Sequence, residues 1–148
     1  MREIIFRGID IKTREWVCGY YVCLNGRAHR IYSGYAETDC GNYYPDCHLV
    51  VPKTVGQYTG LTDKNGTKIF EGDIVKFGIS QRIMYVHWNE ETLTWELTDI
   101  GVSACEVNHL LNTVDLAEIQ VESAYGEVFS EVIGNIHDSE AANEYKDN

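Results

Sequence analysis

Cys40, Cys47 and His48 crowd one short stretch of this 148-residue chain, with Asp39 and Asp46 beside them. A thiolate next to an imidazole is the pairing of nucleophilic catalysis, and thiolates with imidazole also ligate zinc. The spacing does not fit zinc. Cys-x6-Cys-His is no structural zinc pattern, no second ligand pair follows at a suitable distance, and Cys18 and Cys23 could join only if their hairpin bent toward this loop. No metal and no cofactor is expected. A thiol enzyme would need Cys40, Cys47 or Cys105 against His48, His87, His109 or His137, with a carboxylate to orient the ring, and no local signature supplies that placement. A small hydrolase or thiol enzyme on the Cys40/Cys47/His48 loop is therefore the second-ranked reading, and no catalytic residue is assigned.

Two further groups could carry chemistry. Gly56, Gly60, Gly66 and Gly72 invite a phosphate-loop reading, but no Gly-Lys-Ser/Thr follows and they alternate with strand-like runs, so they read as turn glycines. The tyrosines suit binding, because the ring buries area at low entropic cost while the hydroxyl finds a partner. Tyr32, Tyr35, Tyr43 and Tyr44 are the candidate interface residues.

The elements that must position these groups are mostly strands. Aromatic and β-branched residues recur in short groups separated by Gly and Asn. Asn25-Gly26, between Tyr20–Leu24 and His29–Tyr32, predicts a hairpin, and Asn65-Gly66 predicts a second. Ala36 to His48 reads as an irregular surface loop, followed by a short strand Leu49–Val51 that Pro52 stops. Ile74–Phe77 follows the Glu71-Gly72-Asp73 turn, and Arg82–Trp88 and Thr92–Leu97 alternate as a meander, with Leu93, Trp95 and Leu97 inward. Val75, Phe77, Val86, Trp88, Trp95 and Ile133 are expected to share one core. Ser103-x-x-Glu106 is a capping-box pattern that places a short helix at Ala104–Asn112. Leu116–Val121 reads equally as a turn or a strand.

The formal net charge is −11, from 12 Lys and Arg against 23 Asp and Glu. An acidic chain with scattered cations repels a phosphate backbone, so direct nucleic-acid binding is disfavoured. No apolar run approaches the roughly 18–20 residues of a membrane span. The N-terminus has no apolar run of signal-peptide type, and five cysteines do not make a disulfide framework. A cytoplasmic protein is expected.

Gly56 to Phe77, GQYTGLTDKNGTKIFEGDIVKF, with its two turns and an aromatic at fixed offsets, resembles the signature of the YopX family, small proteins encoded mainly by bacteriophages and prophages. The opening MREIIFRGID and the closing Val132–Ile136 resemble that family's start and end as well. The resemblance implies an SH3-type barrel and a homo-oligomer, and it carries over no catalytic residue. The expected fold is mainly β: a β-hairpin region and loop over 1–62, an SH3-like barrel over 63–137 with the helix inserted at about 104–112, and a frayed acidic tail over 138–148. The expected function is a non-catalytic oligomeric accessory protein that binds a phage or host protein.

Overall fold

The computed structural model describes residues 1–77, 81–100, 113–115 and 130–139, the side chains of Phe77 and 113–115 excepted. The chain is mainly β, with two antiparallel sheets, and it divides into two units. One comprises Met1–Tyr58 with His137–Asn148, the other Thr59–Ile136.

In the first unit, β1 (Phe6–Ile9), β2 (Trp16–Leu24), β3 (Ala28–Glu37) and β4 (Tyr43–Leu49) are followed by a 3-10 turn at Pro52–Thr54 and the start of β5 (Gly56–Thr62). The strand order is β4-β3-β2-β1-β5. Asp10 folds the β1–β2 turn: its Oδ1 accepts the Lys12 and Thr13 N–H groups at 2.7 and 3.0 Å. Asn25 and Gly26 both take positive φ, 54° and 66°, in the three-residue turn between the paired Leu24 and Ala28. Ile5, Ile9, Ile31 and Val50 are buried. At Gly19 the neighbouring strand comes so close that a Cβ would sit 2.1 Å from the Tyr32 carbonyl oxygen.

The expected loop Ala36–His48 is replaced over most of its length by a strand. Tyr43–Leu49 pairs with Arg30–Glu37 from Leu49 out to Tyr43, with a register shift between Tyr32 and Gly34. Glycine, proline and paired tyrosines made this stretch read as loop. The β3 ladder overrides that local signal.

In the second unit, the remainder of β5 neighbours β6 (Lys68–Phe70). β7 (Asp73–Phe77), β8 (Arg82–Asn89), β9 (Thr94–Asp99), β10 (Thr113–Asp115) and β11 (Ser130–Asn135) form a sheet ordered β10-β9-β8-β7-β11. The meander is present. Among the described residues the sheet's end strands β10 and β11 do not pair, so those residues close no barrel. The helix expected at 104–112 and the segment 116–121 lie outside the described residues. The Asn65-Gly66 turn is also not of the two-residue kind. Only Gly66 has positive φ, 79°, and Asp63 N–H donates to the Thr67 carbonyl, giving the longer turn that ends on a left-handed glycine.

The core of this unit is Ile69, Val75, Met84, Val86 and Leu97, with Leu61, Trp95 and Val132 packed against it. Of the expected core, Val75 and Val86 are buried and Trp95 joins them. Trp88 meets Trp95 edge-on at 5.0 Å but stays 38 % exposed at the end of its strand. Ile133 is 44 % exposed, and Val132 takes the inward place because a bulge between Val132 and Gly134 resets the alternation. Leu93, expected inward, is exposed in the β8–β9 turn with φ of 55°. The Phe77 side chain lies outside the described residues.

Candidate functional site

The Asp46-Cys47-His48 run is on β4, so its side chains alternate. Asp46 and His48 point to the face that holds buried Ile31, and Cys47 points to the other. His48 is the centre of a polar network. Its Nδ1 lies 2.8 Å from Asp10 Oδ2 and its Nε2 lies 3.3 Å from Asp46 Oδ2. Ser33 Oγ donates to Asp46 Oδ2 at 2.8 Å and stands 3.2 Å from His48 Nε2. Ser33 reaches these partners because it sits at the β3 register shift, where a bulged residue is re-aimed.

Burial alone would lower the His48 pKa, but hydrogen bonds and charge from Asp10 and Asp46 outweigh it and raise the value above that of an ordinary histidine. For Asp10 burial pushes upward, and the Thr13 N–H, His48 and the Lys12 N–H together bring it below the usual carboxylate range. Asp46 is lowered by the Ser33 hydroxyl and by His48, against a smaller effect of burial.

Ser33, His48 and Asp10 stand in the order nucleophile, base and orienting carboxylate. Two features give the array a different use. The serine hydroxyl donates its proton to Asp46. The flanking carboxylates favour the imidazolium form of His48, from which the ring cannot accept that proton. The arrangement therefore acts as a clamp that ties β3, β4 and the β1–β2 turn together. The Cys40/Cys47/His48 grouping is not assembled: both ring nitrogens of His48 meet oxygen partners, and Cys47 points to the opposite face. Cys18, Cys23, Cys40 and Cys47 are exposed and form no disulfide among the described residues.

The opposite face of the β2–β3–β4 ribbon is apolar and open to solvent. The pairings Tyr20↔Tyr32, Val22↔Arg30 and Tyr32↔Cys47, then Tyr35↔Pro45 and Glu37↔Tyr43, put all these side chains on one side. Tyr20, Tyr35 and Tyr43 are 68 %, 76 % and 69 % exposed, and Val22, Leu24 and Leu49 add exposed aliphatic surface. Among the paired residues on this face the charges are Arg30 and Glu37, of opposite sign. Toward β1 the face is covered, with Arg7 lying 4.6 Å over the Trp16 ring and Trp16 Nε1 donating to Asp138. Tyr32, Tyr35 and Tyr43 are thus brought together, while Tyr44 lies opposite Ala36 on the other face.

In the second unit, the segment that dominates the sequence builds an interlock rather than a reactive centre. Buried Asp63 accepts Asn65 and Thr67 N–H groups on Oδ1 and the Val132 N–H on Oδ2. Buried Asp73 accepts the Phe70 N–H at 2.8 Å and the Asn135 side-chain amide at 3.2 Å. Gly72 has φ of 82°, and a Cβ there would meet the Asn135 amide at 3.1 Å. Ile136 N–H closes the set on the Gly72 carbonyl. These contacts join Asp63–Asp73 to Val132–Ile136.

A family model described as YopX protein matches residues 5–141. The chain belongs to the YopX family. No curated protein matches it. The stretches that resemble YopX at the two ends of this second unit are therefore the two halves of one interlock. The polar network is not visible in the sequence, because Ala36–His48 reads as loop. An Asp-x-His alternation on a strand would have placed Asp46 and His48 on one face, but Asp10 and Ser33 reach them only through tertiary structure. Among the described residues no helix is long and apolar enough to cross a membrane.

Proposed function

We propose that this YopX protein is a phage- or prophage-associated accessory protein that works without catalysis, as an oligomeric binding module whose contact surface is the aromatic face of the β2–β3–β4 ribbon. The exposed tyrosines with their aliphatic neighbours, on a face nearly without charge, carry this reading. The occupant it favours is a second copy of the chain. Two molecules of net charge −11 repel, and they meet at least cost where neither presents net charge.

Packing face on face is favoured over adding strand to strand. Pro45 sits in the middle of β4, an edge strand, and proline is tolerated in a ladder only where its nitrogen points to the free side. That edge therefore lacks its central donor, which protects it from pairing with another strand. The SH3-like barrel in the second unit, and a phage or host protein as a further partner, belong to the same reading.

Light-scattering sizing tests it. The protein at micromolar concentration is expected to exceed the monomer mass, and Tyr35→Ser with Tyr43→Ser is expected to return it to monomer. A wild-type monomer, or an oligomer that the double variant leaves intact, would overturn it.

A further inference from the structure

We propose that the Ser33–Asp46–His48–Asp10 network is a protonation-controlled hinge that sets how firmly the outer end of the β3–β4 ribbon, bearing Tyr35 and Tyr43, is held.

The backbone provides the hinge line. The β3–β4 ladder changes register between Tyr32↔Cys47 and Gly34↔Asp46, so regular pairing is interrupted there. Among the described residues β4 has no strand on its other side, and Pro45 next to the break offers no N–H. Side chains bridge the interruption instead. Ser33 ties β3 to Asp46 on the outer side of the break, and His48 ties β4 to Asp10 on the inner side. Asp10 is a fixed anchor, since its other oxygen holds two turn N–H groups and its own N–H donates to the Glu15 carbonyl.

Proton counting makes this tie sensitive to pH. The groups facing His48 are Asp10 from the β1–β2 turn, Asp46 from β4 and Ser33 from β3. An imidazolium donates from both nitrogens and serves both carboxylates, while Ser33 spends its one proton on Asp46. A neutral imidazole has a single N–H. The buried Asp10 retains it, and Nε2 becomes an acceptor. The Ser33 proton then has two competing acceptors, and each time it turns to Nε2 the bond to Asp46 is lost. Asp46 is half-exposed and rehydrates readily. The outer end of the ribbon is thereby released while the inner end stays anchored. The raised His48 pKa and lowered Asp46 pKa agree with this exchange.

The hinge concerns the face proposed above for association, so its effect on oligomerisation rests on that reading, but the hinge itself does not. Amide hydrogen exchange corrected for intrinsic rates, compared at about pH 6 and about pH 9 on either side of an ordinary histidine pKa, reads it directly. In wild type, protection at Ala36, Tyr44 and Asp46, whose N–H groups face across the β3–β4 ladder, is expected to fall about fivefold toward the higher pH, the scale of a half-exposed ionic tie, with β1–β2 unchanged. His48→Gln and the milder Ser33→Ala are both expected to abolish the step. A wild type without the step, or a step that persists in Ser33→Ala, would overturn the hinge. Sizing of the same samples separates the two proposals. A monomer at both pH values that still shows the step overturns the association reading alone, and an oligomer without the step overturns the hinge alone.

Discussion

Asp73 and Asn135 are 62 positions apart, yet the Asn135 side-chain amide donates to Asp73 Oδ1 at 3.2 Å inside the second unit. The other Asp73 oxygen takes the Phe70 N–H, so one buried carboxylate fixes the β6–β7 turn and also receives β11. Asp73→Ala removes the carboxylate that both donors share and is expected to lower stability by about 2–4 kcal/mol, on the scale of lost buried hydrogen bonds to a charged group. Asn135→Ala should cost less. Urea denaturation of both single variants and the double variant should show strong non-additivity; additive losses would mean the two residues do not act together.

Gly19 answers a different constraint. The close approach of the Tyr32 carbonyl leaves no space for a methyl group, so Gly19→Ala must displace backbone. A loss of about 2–3 kcal/mol is expected, at the upper end of overpacking effects. Gly26 has nothing within 4 Å of a built Cβ, and its only constraint is φ of 66°. Gly26→Ala should therefore cost about 1 kcal/mol. Equal losses at the two sites would refute the distinction.

The stability of the first unit should follow pH through His48, Asp10 and Asp46. The folded-state pKa of His48 is raised, so its contribution is complete below an ordinary histidine pKa of about 6.5 and disappears as pH rises through the folded value. Asp10 and Asp46 are lowered, so theirs is present above about 3.9 and disappears as pH falls through their folded values. Thermal melts of wild type against His48→Gln should differ most between about pH 4 and pH 6.5 and converge at alkaline pH. A gap that widens toward alkaline pH would give the wrong sign.

The tyrosines should separate by face. Tyr35→Ser and Tyr43→Ser are expected to weaken self-association, each leaving the melting temperature almost unchanged, since both rings are largely exposed. Tyr44→Ser, on the opposite side of β4, should leave association as it is. Sedimentation velocity on the three variants decides this; equal effects from all three would show that the contact is not confined to one face.

Strand content and turn positions were legible in the sequence. Alternating Arg82–Trp88 and Thr94–Leu97 and the Asn25-Gly26 pair each carry their own local cause, and they form as that cause requires. The core was legible only in part. Trp88 and Ile133 have the right residue type but sit where a strand ends and where a bulge reverses alternation. β4 was missed because its tyrosines, proline and aspartate favour a loop until β3 lies beside them.

Periodicity, charge and backbone freedom are properties of neighbouring residues, so a mainly β, acidic chain marked from Gly56 to Phe77 by turn residues is written in the local sequence. Which side chains meet follows from how the strands pair. His48 finds Asp10 across 38 positions, and three of the four candidate tyrosines fall on one face, because register sets the partner of every side chain and a single shifted pair reverses its direction.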